Sequence, residues 1–250
     1  MRHAGFMEIG MPRDTLELLR QLGERLKSDY HVGVMVPWAN QAVERELADL
    51  RPKHLHWHFA RLVPANLGTA LDDDFLTGLI RAVPGALAQL SRLPLAESYV
   101  ACTSAGFSFG LEFAAATASA PRPCLSAFDA VIETLRLLNA KQVVLVTPYP
   151  ISVGAKEEEA FVAEAIAVTQ GYHLGEADNY PEILQSTVLK AIDSVSSNAI
   201  EHADAIVLSC TGWLTLEALE VAQQRYGKPV ISSNLAMVLS AVLRQLRVQL

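Results

Sequence analysis

Short apolar runs ending in proline or small polar residues alternate along this chain with longer stretches of helical spacing. Val32 to Val36 is an apolar run closed by Pro37, and Asn40 to Leu50 follows with helix-forming residues and early acids. Residues 54–62 read as a second strand. Asp72 to Leu90 reads as a helix whose amino end is favoured by Asp72, Asp73 and Asp74, and Ser98 to Ala101 as a third strand. The second half predicts a helix over Phe128 to Leu138, a strand over Gln142 to Val146 ended by Thr147-Pro148, a helix over Glu157 to Gln170 and a strand over Ala205 to Leu208. Strands alternating with helices in this way indicate parallel sheets in an α/β fold.

The plan repeats. Pro148 follows Pro37 by 111 residues, and Cys210 follows Cys102 by 108, so both landmarks recur at nearly one interval. An interval this long means two similar lobes, because solenoid repeats run about 20–50 residues. The expected domains are a helical extension over 1–30, with Leu16, Leu19, Leu22 and Leu26 at helical spacing, a first lobe over 31–125 and a second over 126–228. Residues 229–250, a strand around Pro229 to Asn234 and a final helix, are expected to return to the first lobe.

Composition narrows the function classes. With 51% hydrophobic residues but no run of about 18 apolar ones, a membrane span is not indicated. Met1 to Glu8 lack a continuous apolar signal core, so the expectation is a soluble, cytoplasmic protein. The net charge of −7 argues against a nucleic-acid partner, which needs a concentrated basic surface. It also leaves any anionic substrate to local donors: backbone N–H groups at helix starts and Asn, Ser or Thr side chains.

Three cysteines do not make a disulfide framework, and free thiols are expected. No Cys-x-x-Cys pair is present, so no metal is expected. His54, His56 and His58 alternate with Leu55, Trp57 and Phe59, which reads as a solvated strand face rather than a ligand set.

Two of the cysteines stand at the carboxyl ends of predicted strands, in Ala101-Cys102-Thr103-Ser104 and Ser209-Cys210-Thr211-Gly212. Ligands of open α/β sheets bind beyond those ends, so the two thiols are placed to face each other across one cleft. The small residues after each form plausible nests for an anion, and a helix start or nest lowers a thiol pKa, favouring the thiolate. Cys124, between Pro123 and Leu125, has no such setting and reads as structural.

These motifs resemble the aspartate/glutamate racemase superfamily, in the branch holding maleate cis-trans isomerases and arylmalonate decarboxylases. The resemblance covers about residues 31–245. Five positions match the isomerase pattern in order: Asn40 after Pro37-Trp38-Ala39, Cys102, Tyr149 after Thr147-Pro148, Asn179 after Ala177-Asp178, and Cys210. The resemblance implies a cofactor-free isomerase with two pseudo-symmetric lobes, its substrate a small carboxylate in the cleft between them. Carried over, Cys102 is the nucleophile and Cys210 the acid/base. Asn40, Tyr149 and Asn179 hold carboxylate oxygens, Thr103 and Thr211 add backbone or hydroxyl donors, and Ser104 and Pro37 complete the substrate-binding set. No Arg lies beside any of these motifs in sequence. Relatives imply a homo-oligomer, dimer or tetramer.

Departures from the pattern keep alternatives open. Trp38-Ala39 stands where isomerases of the branch have small polar residues, Phe107 and Phe109 follow the first cysteine, and Ser209 to Glu217 looks much like the decarboxylase sequence around its single catalytic cysteine. Those features lean towards an aryl or alkyl substituent on the substrate. Against decarboxylation, decarboxylases carry a glycine where this chain has Cys102. A racemase of amino acids or hydantoins, with one acid/base thiol per face, is the second reading. A decarboxylase is the third, and a non-catalytic small-acid binding module the fourth.

Overall fold

A computed structural model describes residues 13–68 and 70–249. Eight strands form two four-stranded parallel sheets. In the first, β1 (Tyr30–Pro37) and β3 (Glu97–Val100) are central, flanked by β2 (Leu55–Leu62) and β4 (Cys124–Ser126), in the order β2-β1-β3-β4. The second repeats that order with β5 (Gln142–Thr147), β6 (Ala167–His173), β7 (Ala205–Leu208) and β8 (Val230–Ser232), as β6-β5-β7-β8. The central strands are buried on both faces, which is why β1, β5 and β7 read as largely apolar runs, while β3 buries Glu97 and Ser98 beside Tyr99 and Val100. The fold is α/β with two pseudo-symmetric lobes.

Helices α1 (Thr15–Gly23), α2 (Ala42–Asp49), α3 (Asp73–Leu90), α4 (Thr103–Ser108), α5 (Gly110–Thr117) and α6 (Ala127–Leu137) belong to the first half, with α7 (Ile151–Ala163), α8 (Gln185–Asp193), α9 (Ser197–His202), α10 (Leu216–Tyr226) and α11 (Ser233–Val248) following. Their starts are chemically marked. Asp14 accepts from Leu16 N and Glu17 N, Asp72 from Phe75 N, Ser232 from Leu235 N, and Ser126 and Asp129 form a reciprocal capping box. Of the expected extension over 1–30, residues 1–12 lie outside the described residues. The rest holds α1, tied down where Thr15 Oγ1 donates to Val230 O at 2.7 Å.

Two expectations are corrected. The helix predicted over Glu157 to Gln170 ends at Ala163; Ala165 then adopts φ 60°, and residues 167–173 are edge strand β6. Alanine and glutamate favour helix through Ala163, but Ile166, Val168 and Thr169 are β-branched, and pairing with β5 overrides a continued helix. Residues 229–250 do not return whole to the first lobe. β8 pairs with β7, with Val207 opposite Ile231, because the β7-α10-β8 crossover lays its strand beside the previous one. Only α11 reaches back, packing on α6, α2 and α1.

His54, just before β2, and His56 and His58 within it are half-buried and make contacts of their own. His31 stacks on His56 and His58 with ring centroids 4.9 and 5.2 Å apart, and His54 and His56 lie 3.0 and 3.1 Å from Asp29 Oδ1. Among the described residues no group of three or more His, Cys, Asp or Glu is arranged to hold a metal ion, and no helix is long and apolar enough to cross a membrane.

Candidate functional site

In each sheet the strand order reverses direction between the two central strands, and the crevice beyond their carboxyl ends is where open α/β sheets bind ligands. Four loops leave those ends: residues 37–41 after β1, Cys102 after β3, Pro148-Tyr149 after β5, and 209–215 after β7. They converge on one cavity of about 370 Å³, whose lining includes Pro37, Asn40, Cys102, Thr103, Ser104, Tyr149, Asn179, Cys210 and Thr211. All nine residues singled out in the sequence are thus brought together. Cys124 is half-buried and elsewhere.

The two cysteine loops are tied to each other. Thr211 Oγ1 donates to Ala101 O at 2.8 Å, and Ser233 Oγ accepts from Thr103 Oγ1 at 3.0 Å and from Cys210 N at 3.1 Å. Asn40 also spans the lobes: its Oδ1 accepts from Ala42 N and Val43 N at the start of α2, and its Nδ2 lies 3.2 Å from Thr211 O. Toward a ligand, Asn40 can therefore only donate. Arg61 of β2, distant in sequence, donates to Asn40 O at 2.8 Å and pairs with Glu44, so an arginine does brace this loop from outside the cavity.

Both thiols are buried, 6% exposed at Cys102 and 5% at Cys210. Cys102 precedes α4, where Ser104 N–H and Ala105 N–H point at its sulfur and Ser104 Oγ lies 3.5 Å away. Cys210 Sγ accepts from Gly212 N at 3.2 Å and from the Tyr149 hydroxyl. A Cβ on Gly212 would sit 3.2 Å from Tyr180 Cδ2 and 3.4 Å from Cys210 Sγ, so glycine suits this close approach. The donors favour the thiolates, as the nests in the sequence suggested. Burial nevertheless wins: it raises the Cys102 thiol and pushes Cys210 up to about 12. The expectation of lowered thiol pKa values is corrected. Tyr149, 1% exposed, is held well above its ordinary value by burial and stays a hydrogen-bond donor.

A model of the family described as arylmalonate decarboxylase matches residues 32–248. The chain belongs to the arylmalonate decarboxylase family. It is 32% identical to the maleate isomerase of Geobacillus stearothermophilus over 117 residues, a match spanning 46% of this chain and 46% of that enzyme, about half its length. It is 28% identical to the arylmalonate decarboxylase of Bordetella bronchiseptica over 219 residues, 84% of this chain and 88% of that one. A mutant maleate cis-trans isomerase of Nocardia farcinica, solved with a covalently bound succinylcysteine intermediate, superposes with a TM-score of 0.77 at 24% identity, covering 88% of this chain and 94% of that one. A liganded double mutant of arylmalonate decarboxylase superposes at 0.73 and 25% identity, covering 86% and 92%.

In this member of the arylmalonate decarboxylase family the apolar side of the cavity is not built as the sequence suggested. Phe107 packs edge-on against Phe128 at 5.7 Å, within the core, and neither it nor Phe109 lines the cavity. Trp213 is wholly buried, and Trp38 donates to Gly68 O at 3.3 Å; neither lines the cavity. The apolar wall is instead Leu71 and Phe75, from the start of α3, with Tyr180, whose ring packs edge-on to Tyr149 at 6.0 Å. The segment before α3 meets the second lobe where Leu71 N donates to Ala177 O at 2.7 Å. Sequence reasoning missed these residues because they lie far from any cysteine motif. Asp178 and Glu182 also line the cavity, and among the described residues its lining includes no Lys, Arg or His.

Proposed function

We propose that this chain is a cofactor-independent isomerase of the maleate cis-trans type, acting on a small cis-dicarboxylate that can carry an apolar substituent. The observation that carries this reading is the pair of buried thiols at the equivalent ends of two pseudo-symmetric sheets, both lining one cavity. The maleate isomerase relative supports the assignment.

In the proposed reaction the reactive form of the thiol pair holds one proton, on Cys210; burial makes it the minor form of the ligand-free protein. Cys102 thiolate adds to one double-bond carbon, and the electron pair of the double bond moves to the second carbon and into the carboxylate that it bears. Cys210 S–H then delivers its proton to the second carbon. The result is a saturated thioether free to rotate about a single bond. After rotation Cys210 thiolate removes a proton from that second carbon, the C–S bond breaks, and the trans acid leaves with Cys102 again a thiolate. Splitting the isomerisation this way replaces one hard step by two easier ones. The addition and elimination balance without a redox or metal partner. Charge on the carboxylate is met by donors already in place: Asn40, Tyr149, Asn179 and the N–H groups beside Thr103 and Thr211. The high pKa of Cys210 suits a proton donor, and the N–H groups at the start of α4 favour the thiolate at Cys102.

Decarboxylation is the second reading, favoured by the Leu71 and Phe75 wall and by the decarboxylase relative. Replacement Cys102→Gly separates the two. It should abolish turnover of an isomerase, whereas a decarboxylase would keep or gain carbon dioxide release from an arylmalonate.

A further inference from the structure

Nine residues after Pro37, and again nine after Pro148, each half of the chain buries a glutamate: Glu46 in α2 and Glu157 in α7, 2% and 0% exposed. The repeat uses them differently. Glu157 accepts from Ser209 Oγ within its own lobe, and its Oε2 is buried with no hydrogen-bond partner. Glu46 instead crosses between lobes. Its carboxylate accepts from Thr215 N, from Thr215 Oγ1 at 3.2 Å, from Leu216 N at 3.1 Å and from Asn234 Nδ2 at 2.7 Å.

Thr215 and Leu216 are the start of α10, at the end of the loop that carries Cys210, and Asn234 stands in the first turn of α11. Thr215, at the cap position of α10, makes no side-chain cap of its own. The orphan N–H groups that every helix start presents are met here by a carboxylate from the other lobe, which also suits the positive end of the helix dipole. Asn234 extends the contact, since the same Nδ2 lies 3.3 Å from Thr211 O, the carbonyl that Asn40 Nδ2 approaches at 3.2 Å. Glu46, Asn234, Thr211 and Asn40 thus form one chain of hydrogen bonds from α2 to the residue after Cys210.

We propose that Glu46 is a positioning residue for Cys210: a first-lobe carboxylate that fixes the turn over residues 210–216 and so sets where the Cys210 sulfur and the Gly212 N–H face the cavity. Its importance for turnover rests on the isomerase reading; its control of the thiol does not. Among the described residues no carboxylate from the other lobe holds the Cys102 loop: its ties are the hydroxyl contacts of Thr211 to Ala101 and of Thr103 to Ser233, and it runs directly into α4. Disturbing Glu46 should therefore separate the behaviour of the two thiols.

The test needs no substrate. In Glu46→Gln an amide N–H₂ replaces an acceptor oxygen and meets the donors of Thr215, Leu216 or Asn234. Iodoacetamide labelling, resolved by peptide mass spectrometry, should show Cys210 reacting at least threefold faster relative to Cys102 than in the parent protein. The Thr215 and Leu216 amides should exchange with deuterium at least tenfold faster. Asn234→Ala, which keeps the carboxylate on α10 but cuts the link to Thr211, should shift the labelling ratio in the same direction and stands in if Glu46→Gln does not fold. A ratio changed less than threefold in a folded variant, or an equal acceleration of both thiols, overturns the proposal. A protein that passes but turns over no cis-diacid overturns the isomerase reading alone.

Discussion

Thr211, the residue after Cys210, donates its hydroxyl to the carbonyl of Ala101, the residue before Cys102, at 2.8 Å. The two thiol loops are therefore joined directly across the lobe boundary, without an intervening ligand. Thr211→Val keeps the shape and removes the donor. A buried carbonyl left unsatisfied costs about 1–3 kcal/mol. Urea unfolding should show a loss of that order, and a loss below about 0.5 kcal/mol, within the range of neutral substitutions, would show that the tie does not hold the lobes.

The unequal roles given to the thiols predict unequal variants. Cys210→Ser keeps the nucleophile but removes the matched acid/base, so incubation with maleate should leave a covalent adduct on Cys102, visible as a mass increase of one dicarboxylic acid. Cys102→Ser should form no adduct on Cys210. Each should lower turnover by at least about a thousandfold, the scale on which removing one member of a catalytic set acts. Adducts on Cys210 alone would reverse the roles.

Both thiols are raised by burial, Cys210 to about 12, whereas an unfolded cysteine titrates near 8.5. In the folded protein the protonated form is favoured. Their contribution to stability is therefore complete below about pH 8.5 and falls as pH rises towards 12, where the unfolded chain has lost protons that the folded one keeps. Alkylation of the ligand-free protein should climb with pH well above the profile of a free cysteine. Tyr149→Phe removes a donor to the Cys210 sulfur and should displace its profile further upward. A midpoint at or below 8.5 for Cys210 contradicts the burial account.

Glu157 makes a separate pH prediction. Burial raises its carboxyl to about 8, from an ordinary value near 4.5. The neutral form is favoured in the folded state, so its contribution is complete below about pH 4.5 and is lost as pH rises to about 8, at up to about 1.4 kcal/mol per pH unit. Glu157→Gln is neutral at every pH. Its stability relative to the parent should rise across that window in unfolding experiments at pH 5 and pH 8, and an unchanged difference would mean that Glu157 is ionised when buried.

Much of this was legible in the sequence. The apolar runs at Val32 to Val36 and Val143 to Val146 announced central parallel strands, and the repeated Cys-Thr endings placed both thiols at carboxyl ends. What stayed hidden has physical causes. β6 is a half-buried edge strand, so its residues carry no continuous apolar signal, and the helix-forming residues of α7 just before it suggest that the helix runs on. Leu71 and Phe75 reach the cavity only through the packing of α3 on its sheet, which local spacing cannot express. The thiol pKa values depend on burial from both lobes at once, whereas the nests that lower them are local and readable. Glu46 looked like an ordinary early acid of a helix, and only the juxtaposition of lobes places it on Thr215.

Proton NMR of the purified protein with maleate, methylmaleate, phenylmalonate, aspartate and glutamate in deuterated buffer tests the central claim most directly. The account predicts that a cis-diacid loses its vinyl signal as that of the trans acid grows, while phenylmalonate persists and the amino acids keep their α protons. Loss of carbon dioxide from phenylmalonate with the cis-diacids untouched, or deuterium washing into the α position of an amino acid, would contradict it.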